Sequence, residues 1–120
     1  TYMVYMNSDD AIGAFLALGQ ETRLAAFRLV MAQGPAGLPV GEIATRLGAN
    51  LSTVSRHLAQ MQRADLLRSW RKERQVFYAV DHQGARSLIR FLMDDCCKAD
   101  PDICGEFSRR RNGCREGRSG

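Results

Sequence analysis

Hydrophobic positions recur with helical spacing in five stretches of the chain. Glycines stand where the first three stretches stop, at Gly19, Gly34 and Gly48, as is common just after a helix. Ser8 or Asp9 can cap the first helix, and Pro101 is expected to end the last one. The stretch GPAGLP is predicted to be a loop. The predicted helices are AIGAFLALG, ETRLAAFRLVMAQ, VGEIATRLG, ANLSTVSRHLAQMQRADL and HQGARSLIRFLMDDCC.

The fourth predicted helix has two different faces. Its apolar residues recur at i, i+3, i+7 and i+10 and form one stripe that must face a core: Leu51, Val54, Leu58 and Met61. At about 100° per residue, the opposite face carries polar and small residues: Ser52, Arg56, Ala59, Gln60 and Arg63. A short third helix, a tight turn and this polar-faced fourth helix form a helix-turn-helix.

Two stretches rich in β-favouring residues, LLRSWR and QVFYAV, follow the fourth helix. The residues between them, 71–74, are polar and mostly basic, which predicts a β-hairpin with a positive tip. A helix-turn-helix followed by such a hairpin is a winged helix, so the fold class is mainly α with a β-hairpin wing. We assign residues 9–97 to this domain, 1–8 to an N-terminal arm or expression remnant, and 98–120 to a flexible, cysteine-containing C-terminal segment.

Positive charge is concentrated in one part of the domain. The whole chain has a formal net charge of +4, but much of the excess comes from the arginine-rich tail after Glu106. Within residues 50–75, six basic residues face only Asp65 and Glu73: Arg56, Arg63, Arg68, Arg71, Lys72 and Arg74. A local basic patch of this kind indicates an anionic partner better than the overall charge does.

The sequence carries no signal for a membrane or for export. Its apolar runs are too short to span a bilayer, and TYMVYM lacks the basic region and long apolar stretch of a signal peptide. We therefore expect a cytoplasmic protein whose four cysteines are reduced at rest.

The winged helix predicts a contact surface for double-stranded DNA. The major groove is about 12 Å wide and accepts one helix, where Arg and Gln suit guanine and adenine edges, while Ser and Thr more often hold phosphates. His57 lies at the edge of the core stripe, so packing and DNA contact both remain open for it. The candidate DNA-binding residues are Ser52, Thr53, Ser55, Arg56, His57 and Gln60 on the helix, with Arg71, Lys72 and Arg74 on the wing.

The segments QETRLAAFRLVM, GEIATRLGANLSTVSRHLAQMQRADLL and RKERQVFYAVD resemble the ArsR family of metal-sensing bacterial repressors. The resemblance runs from about Asp10 to Met93, and its most specific piece is LSTVSRHLAQMQRADLL. It implies a homodimer in which the first and last helices pack across a two-fold axis. Each protomer would read one half-site of an inverted-repeat operator, in major grooves about 34–36 Å apart.

Members of this family place inducer sites at several positions, and two of these are absent here. The third helix has Ile43 and no cysteine, so the arsenic site found there in some members is missing. Asp81 and His82 stand without a second histidine on the last helix, so a zinc site of the Asp and His type is missing too. What remains is the C-terminal cysteine cluster: Cys96, Cys97, Cys104 and Cys114.

Clustered thiolates favour soft, thiophilic ligands. Trivalent arsenic or antimony, As(III) or Sb(III), bonds to three sulfurs in a pyramid, which Cys96, Cys97 and Cys104 could supply if the helix unwinds near Cys96. Cys114 could serve as a third ligand. Alternatives remain open: a cadmium or lead site, a four-cysteine zinc site that an adjacent pair fits poorly, or a redox sensor in which Cys104 and Cys114 form a disulfide.

These observations separate three classes of function. The sequence has neither a phosphate-binding loop nor a nucleophile–base pair, which argues against an enzyme. An architectural DNA-binding protein would use the basic wing but not the cysteines. A ligand-gated repressor uses both, and we expect a metalloid-responsive one that is released from DNA by As(III) or Sb(III) and has no catalytic cofactor.

Overall fold

The computed structural model describes residues 6–96, 98, 100–103 and 105, with the backbone alone at 95 and 96. Helices make up most of this part of the chain, and a small antiparallel sheet completes it. The elements are α1 (Ser8–Leu18), α2 (Glu21–Gln33), β1 (Leu38–Pro39), α3 (Val40–Leu47), α4 (Leu51–Arg63), β2 (Leu67–Lys72), β3 (Gln75–Val80) and α5 (His82–Arg90), which a π-helical segment, Phe91–Cys96, continues. The five helices, the hairpin and the winged-helix fold are thus confirmed.

The helix-turn-helix is held by caps at both sides of its turn. Gly48, at φ 63°, ends α3 in the left-handed region, and Ala49 N–H donates to Ala44 C=O at 3.0 Å. Asn50 then caps α4, because its side-chain oxygen accepts from the N–H groups of Ser52 (2.9 Å) and Thr53 (3.3 Å). The two caps fix the direction in which α4 leaves the turn.

The N-terminal cap of α1 differs from the prediction. Neither Ser8 nor Asp9 caps this helix, because both already lie within it. Asn7 does so, and its side-chain oxygen accepts from Asp10 N–H at 2.8 Å. Asn is as good a cap as Ser or Asp. The helix therefore starts at Ser8, before its apolar pattern begins at Ala11.

The sheet has the order β1-β3-β2, with both pairings antiparallel. Leu38 pairs with Tyr78, so the predicted GPAGLP loop is wrong at Leu38–Pro39, which add a short edge strand. In the hairpin, Lys72 pairs with Gln75, and the turn is therefore only two residues long. Those residues, Glu73 (φ 51°) and Arg74 (φ 73°), have the positive φ values that a type I′ turn requires.

The core stripe of α4 is confirmed at three of its four positions. Val54, Leu58 and Met61 are fully buried, and they pack with Ile43 of α3 and Val30 of α2 in one cluster. The prediction is wrong at Leu51, which is 54% exposed. As the first residue of α4, it extends beyond the edge of the core.

Two helices leave apolar side chains on the surface. On α1 these are Ile12, Phe15 and Leu16, while α1 turns Ala11, Ala14 and Ala17 inward. On α5 and its continuation, Ile89 and Leu92 are exposed, whereas Leu88 is buried. No helix of the described residues is both long and apolar enough to cross a membrane.

The end of the chain's last helix departs from the prediction. The helical path widens into a π-helix and reaches Cys96, and Lys98 then has φ 52°, outside any helix. Pro101 does not end this helix; it begins a new helical turn. Asp100 caps that turn by accepting from Asp102 N–H at 2.8 Å, and Pro suits the first helical position. A helical turn at residues 101–103 thus lies within the segment 98–120 that the sequence analysis assigned as flexible.

Gly84 allows the start of α5 to lie directly on the turn between α4 and β2. A Cβ atom at Gly84 would stand 1.5 Å from the carbonyl oxygen of Asp65, so the backbone would have to move. We expect Gly84→Ala to lower the free energy of unfolding by about 3 kcal/mol, the upper range for overpacking. Gly41→Ala is the matched control, because a Cβ there meets nothing within 4 Å. Urea denaturation followed by circular dichroism measures both, and equal effects would contradict this packing argument.

Asp65 occupies an unfavourable position for a carboxylate. Its φ is 65°. Although the residue is exposed, partial desolvation of its carboxyl, then Asp81 and Asp10, raise its pKa above the ordinary value. Because the folded state favours the protonated form, the ionised side chain lowers stability at neutral pH, and this loss disappears as pH falls through the raised pKa.

We expect Asp65→Asn to increase the free energy of unfolding at pH 7, with an advantage over the wild type that shrinks towards pH 4. Urea denaturation across this pH range checks the trend. Asp9→Asn is the control, because it removes an exposed carboxylate from the first turn of α1, where negative charge is favourable. A stabilising effect of Asp9→Asn equal to that of Asp65→Asn would show that net charge, not the site, is responsible.

Candidate nucleic-acid interface

The outer face of α4 presents the polar residues that the sequence predicted. Ser52 and Arg56 are exposed, and Thr53, Ser55 and Gln60 are partly exposed. They lie in the first three turns of the helix. Ser52, Arg56 and Gln60 are opposite the buried stripe, and Thr53 and Ser55 lie at its sides. This face is therefore free to meet a ligand.

Hydrogen bonds within α4 orient two of these side chains. The Ser52 hydroxyl donates to the Asn50 side-chain oxygen at 2.7 Å, which keeps it at the N-terminus of the helix. The Arg56 guanidinium donates to the Thr53 hydroxyl at 3.5 Å and so points along the helix towards the same end. The N-terminal half of a recognition helix is where base contacts concentrate.

His57 is engaged inside the protein. Its Nδ1 atom lies 3.1 Å from a terminal guanidinium nitrogen of Arg23 on α2, and the ring is partly buried. Burial, followed by the positive charges of Arg23 and Arg56, lowers the pKa of His57 below its ordinary value. Of the two interpretations of His57 from the sequence, the structure therefore supports packing, and a DNA contact by this residue stays a prediction.

The wing carries its cations at the tip. Arg71, Lys72 and Arg74 are all exposed and lie beside or within the two-residue turn. Arg68, from the same basic stretch, is engaged elsewhere: its guanidinium lies 4.8 Å from the centre of the Trp70 ring and donates to Pro35 C=O at 3.3 Å. The tip, and not the base, is thus the part of the wing that can meet phosphates.

Aromatic packing stabilises the wing internally, and polar contacts hold it against the rest of the domain. Trp70 stacks on Phe77 with ring centres 5.8 Å apart, and Tyr78 is buried. The Ser69 hydroxyl donates to the side-chain oxygen of Gln62, near the end of α4, at 2.9 Å. This contact ties the wing to the recognition helix.

Some of these positioning residues were not predicted. Asn50 could have been found, because Asn immediately before an amphipathic stretch is a start signal for a helix. Arg23, Gln62 and Ser69 had no such signal, because each acts through a partner on a different element.

Most of the cysteine cluster lies outside the described residues. Cys97, Cys104 and Cys114 are not described, and for Cys96 only the backbone is, at the end of the π-helical segment. The described residues contain no group of three or more His, Cys, Asp or Glu side chains that could hold a metal ion. The predicted metalloid site is therefore untested.

Comparison with known proteins identifies the type of domain. A family model described as a helix-turn-helix domain matches residues 18–69, which span α2 to β2. The transcriptional activator HlyU of Vibrio cholerae serotype O1 is 29% identical over 94 residues, covering 78% of this chain and 84% of HlyU. The solved structure of reduced HlyU from V. cholerae N16961 has a TM-score of 0.58 and 28% identity, over 71% of this chain and 88% of that one.

Two further solved structures share the fold. One is the homodimeric winged helix-turn-helix DNA-binding domain of Mb0332 from Mycobacterium bovis, described as a possible ArsR-family regulator. Its TM-score is 0.59, with 26% identity over 72% of this chain and 84% of that one. The other is an ArsR-like transcriptional regulator from Rhodococcus sp. RHA1, with a TM-score of 0.62 and 23% identity over 90% of this chain and 92% of that one.

The chain is similar to winged-helix transcriptional regulators of the ArsR and HlyU type. Its helix-turn-helix is α3 and α4, and its wing is the β2–β3 hairpin. The relatives are DNA-binding regulators and not enzymes, in agreement with the sequence analysis. As the second helix of the helix-turn-helix, α4 has the place of a recognition helix.

Two substitutions separate base reading from phosphate contact. Lys72→Ala at the wing tip should weaken binding to selected and random duplexes alike and reduce the slope of log K against log salt by about 0.9. Arg56→Ala should reduce the preference for the selected duplex by roughly 1–3 kcal/mol. Fluorescence anisotropy over a salt series measures both.

Arg86→Ala is the matched control, because it removes an exposed arginine from α5 and leaves the helix-turn-helix and wing intact. If Arg86→Ala changed affinity and preference as much as Arg56→Ala, net charge alone would explain binding and the assignment of Arg56 would be wrong.

Proposed function

We propose that this chain is a cytoplasmic, homodimeric transcriptional repressor that leaves its operator when As(III) or Sb(III) binds its C-terminal cysteine thiolates. The observation that carries the DNA-binding part is the joint exposure of a polar recognition face, with Ser52, Arg56 and Gln60, and a cationic wing tip. Both parts are fixed to one core, so they approach the double helix as a unit.

The apolar surfaces of α1 and α5 support a homodimer. Ile12, Phe15 and Leu16 on one helix, with Ile89 and Leu92 on the other, form a set of exposed large side chains that a monomer would leave in water. The M. bovis relative with this fold is homodimeric. Two recognition helices related by a two-fold axis would match an inverted repeat in the operator.

The chemistry of the cysteines supports a soft ligand. All four cysteines lie between Cys96 and Cys114, and thiolates select thiophilic ions over hard ones such as Mg²⁺. Cys96 stands at the end of the π-helical segment that continues α5. A ligand bound there would act on the element that carries Ile89 and Leu92, and thus on the proposed dimer contact.

A thiol redox sensor of the same fold is the second candidate. One solved relative is described as the reduced form of HlyU, which makes redox state a relevant variable for this type of regulator. In this version, oxidation joins Cys104 and Cys114 and takes the place of the metalloid. The relative HlyU is named an activator, so a promoter–reporter assay must decide between repression and activation here.

Release of labelled DNA tests the proposal. A duplex is first selected from a random-sequence pool by the reduced protein, and anisotropy then follows its release by arsenite, antimonite, zinc or an oxidant. We expect arsenite or antimonite to release the duplex. Arsenite is As(OH)3 at neutral pH, so each thiol proton leaves with a hydroxide as water, and the arsenite concentration needed for release should change little across neutral pH. A metal cation such as zinc displaces thiol protons and should act at lower concentration as pH rises.

The variant with all four cysteines replaced by serine is the matched control. It should bind the duplex with unchanged affinity and ignore the metalloid. Release by the oxidant alone would favour the redox candidate. If nothing releases the wild type, or if arsenite releases the serine variant equally well, the sensor proposal is wrong and an ungated DNA-binding protein remains.

A further inference from the structure

Arg23, at the start of α2, joins three helices through one side chain. Its guanidinium donates to the carbonyl oxygen of Leu16 at 3.2 Å and to that of Ala17, both in the last turn of α1. It also lies 3.1 Å from Nδ1 of His57 on α4. A cation is favourable at the carbonyl end of a helix, so this contact holds the end of α1 against the middle of the recognition helix.

The contact with His57 requires a neutral imidazole. A guanidinium has only donors, so His57 Nδ1 must accept and its proton must reside on Nε2. Protonation places a hydrogen on Nδ1, removes the acceptor and sets two positive groups against each other. Among the described residues, the charged groups that act on His57 are Arg23 from α2 and Arg56 from its own helix, and both are cations. From α1, the groups that meet Arg23 are backbone carbonyls.

The two ends of this contact lie in functionally different places. The Leu16 side chain is 66% exposed on the apolar face of α1, while its carbonyl accepts from Arg23. His57 immediately follows Arg56, which lies on the recognition face. The contact therefore connects the proposed dimer helix with the helix proposed to enter the major groove.

We propose that Arg23 is a positioning residue that holds the recognition helix against α1 through neutral His57, so that protonation of His57 loosens α4 and lowers DNA affinity. This inference rests on the proposed DNA-binding function and adds a pH response to it. The pKa of His57 is lowered from 6.5 by burial and by the two arginines. The contact is therefore intact at pH 7–8 and is lost only as pH falls through this lowered pKa.

The direction of the pH effect distinguishes this role from a direct contact. A histidine that touches a phosphate would strengthen binding when it becomes cationic. A histidine that positions α4 by accepting from Arg23 would weaken binding when it becomes cationic. Loss of one hydrogen bond predicts a decrease in affinity of about fivefold per protomer once His57 is fully protonated.

Histidine-to-asparagine variants provide a matched pair, because the chain has two histidines. His57→Asn keeps a side-chain acceptor close to Cβ that cannot take a proton, whereas His82→Asn alters an exposed position on α5. Affinity for the selected duplex is measured by anisotropy from pH 5.5 to pH 8 at constant ionic strength. Circular dichroism melting at each pH confirms that every variant is folded.

We expect the wild type and His82→Asn to lose affinity on acidification, whereas the affinity of His57→Asn should not change with pH. Arg23→Gln should bind weakly at every pH, and if it fails to fold, the histidine pair alone decides. The positioning role is overturned if the wild type gains affinity on acidification, or if His57→Asn loses affinity on acidification as the wild type does. Either result leaves DNA binding in place. If the wild type selects no duplex at any pH, the proposed function fails together with this inference.

Discussion

Burial of one apolar stripe of α4 is the constraint on which the rest of the molecule depends. Val54, Leu58 and Met61 have no exposed surface. Since successive helical residues are separated by about 100°, hiding this stripe directs Ser52 and Arg56 outward. The same packing thus builds the core and aims the recognition face. A small rotation of α4 would expose part of the stripe to water. Burial of the stripe therefore also fixes the orientation of the DNA-facing side chains.

The position of the wing depends on contacts with α4 and with the loop after α2, and α4 is itself held by the core. Its strands can present a cationic tip at a defined angle only because their base is fixed to α4 and to the loop after α2. The Gln62–Ser69 hydrogen bond and the position of Arg68 between Trp70 and Pro35 provide that base. Arg68 therefore differs in role from Arg71 and Lys72, although all three belong to one basic stretch of sequence. Counting charges alone does not distinguish an arginine that positions the wing from a cation that is free to contact DNA.

The sequence predicted features that depend on local periodicity and capping. The five helices, the hairpin and the outward face of α4 follow from spacing and turn residues, and they are confirmed. The errors occur where the local structure is determined by a residue close in space but distant in sequence, or by a second local signal that competes with the first. Leu51 fits the stripe by spacing but lies beyond the core's edge, and the β1 strand forms because β3 offers it a partner. Pro101 was interpreted as a terminator, whereas the Asp100 cap makes it a helix start. The Arg23–His57 contact spans 34 positions and has no local signature.

The rigidity of this core limits how a ligand could control the protein. Rotating α4 within a protomer would expose Leu58 or Met61, and losing the burial of one such side chain costs about 1.5–3 kcal/mol. The coupling free energy between two sites is typically only about 1–3 kcal/mol. The cost of a rearrangement inside the core would therefore be as large as the whole coupling free energy. A rigid-body shift between protomers disturbs only surface contacts, such as Ile12 and Ile89. Under the proposed function, a ligand at the end of α5 therefore acts on the spacing of two intact recognition helices. A polar contact such as Arg23–His57 can be lost without exposing the core, so its loss would add to that shift.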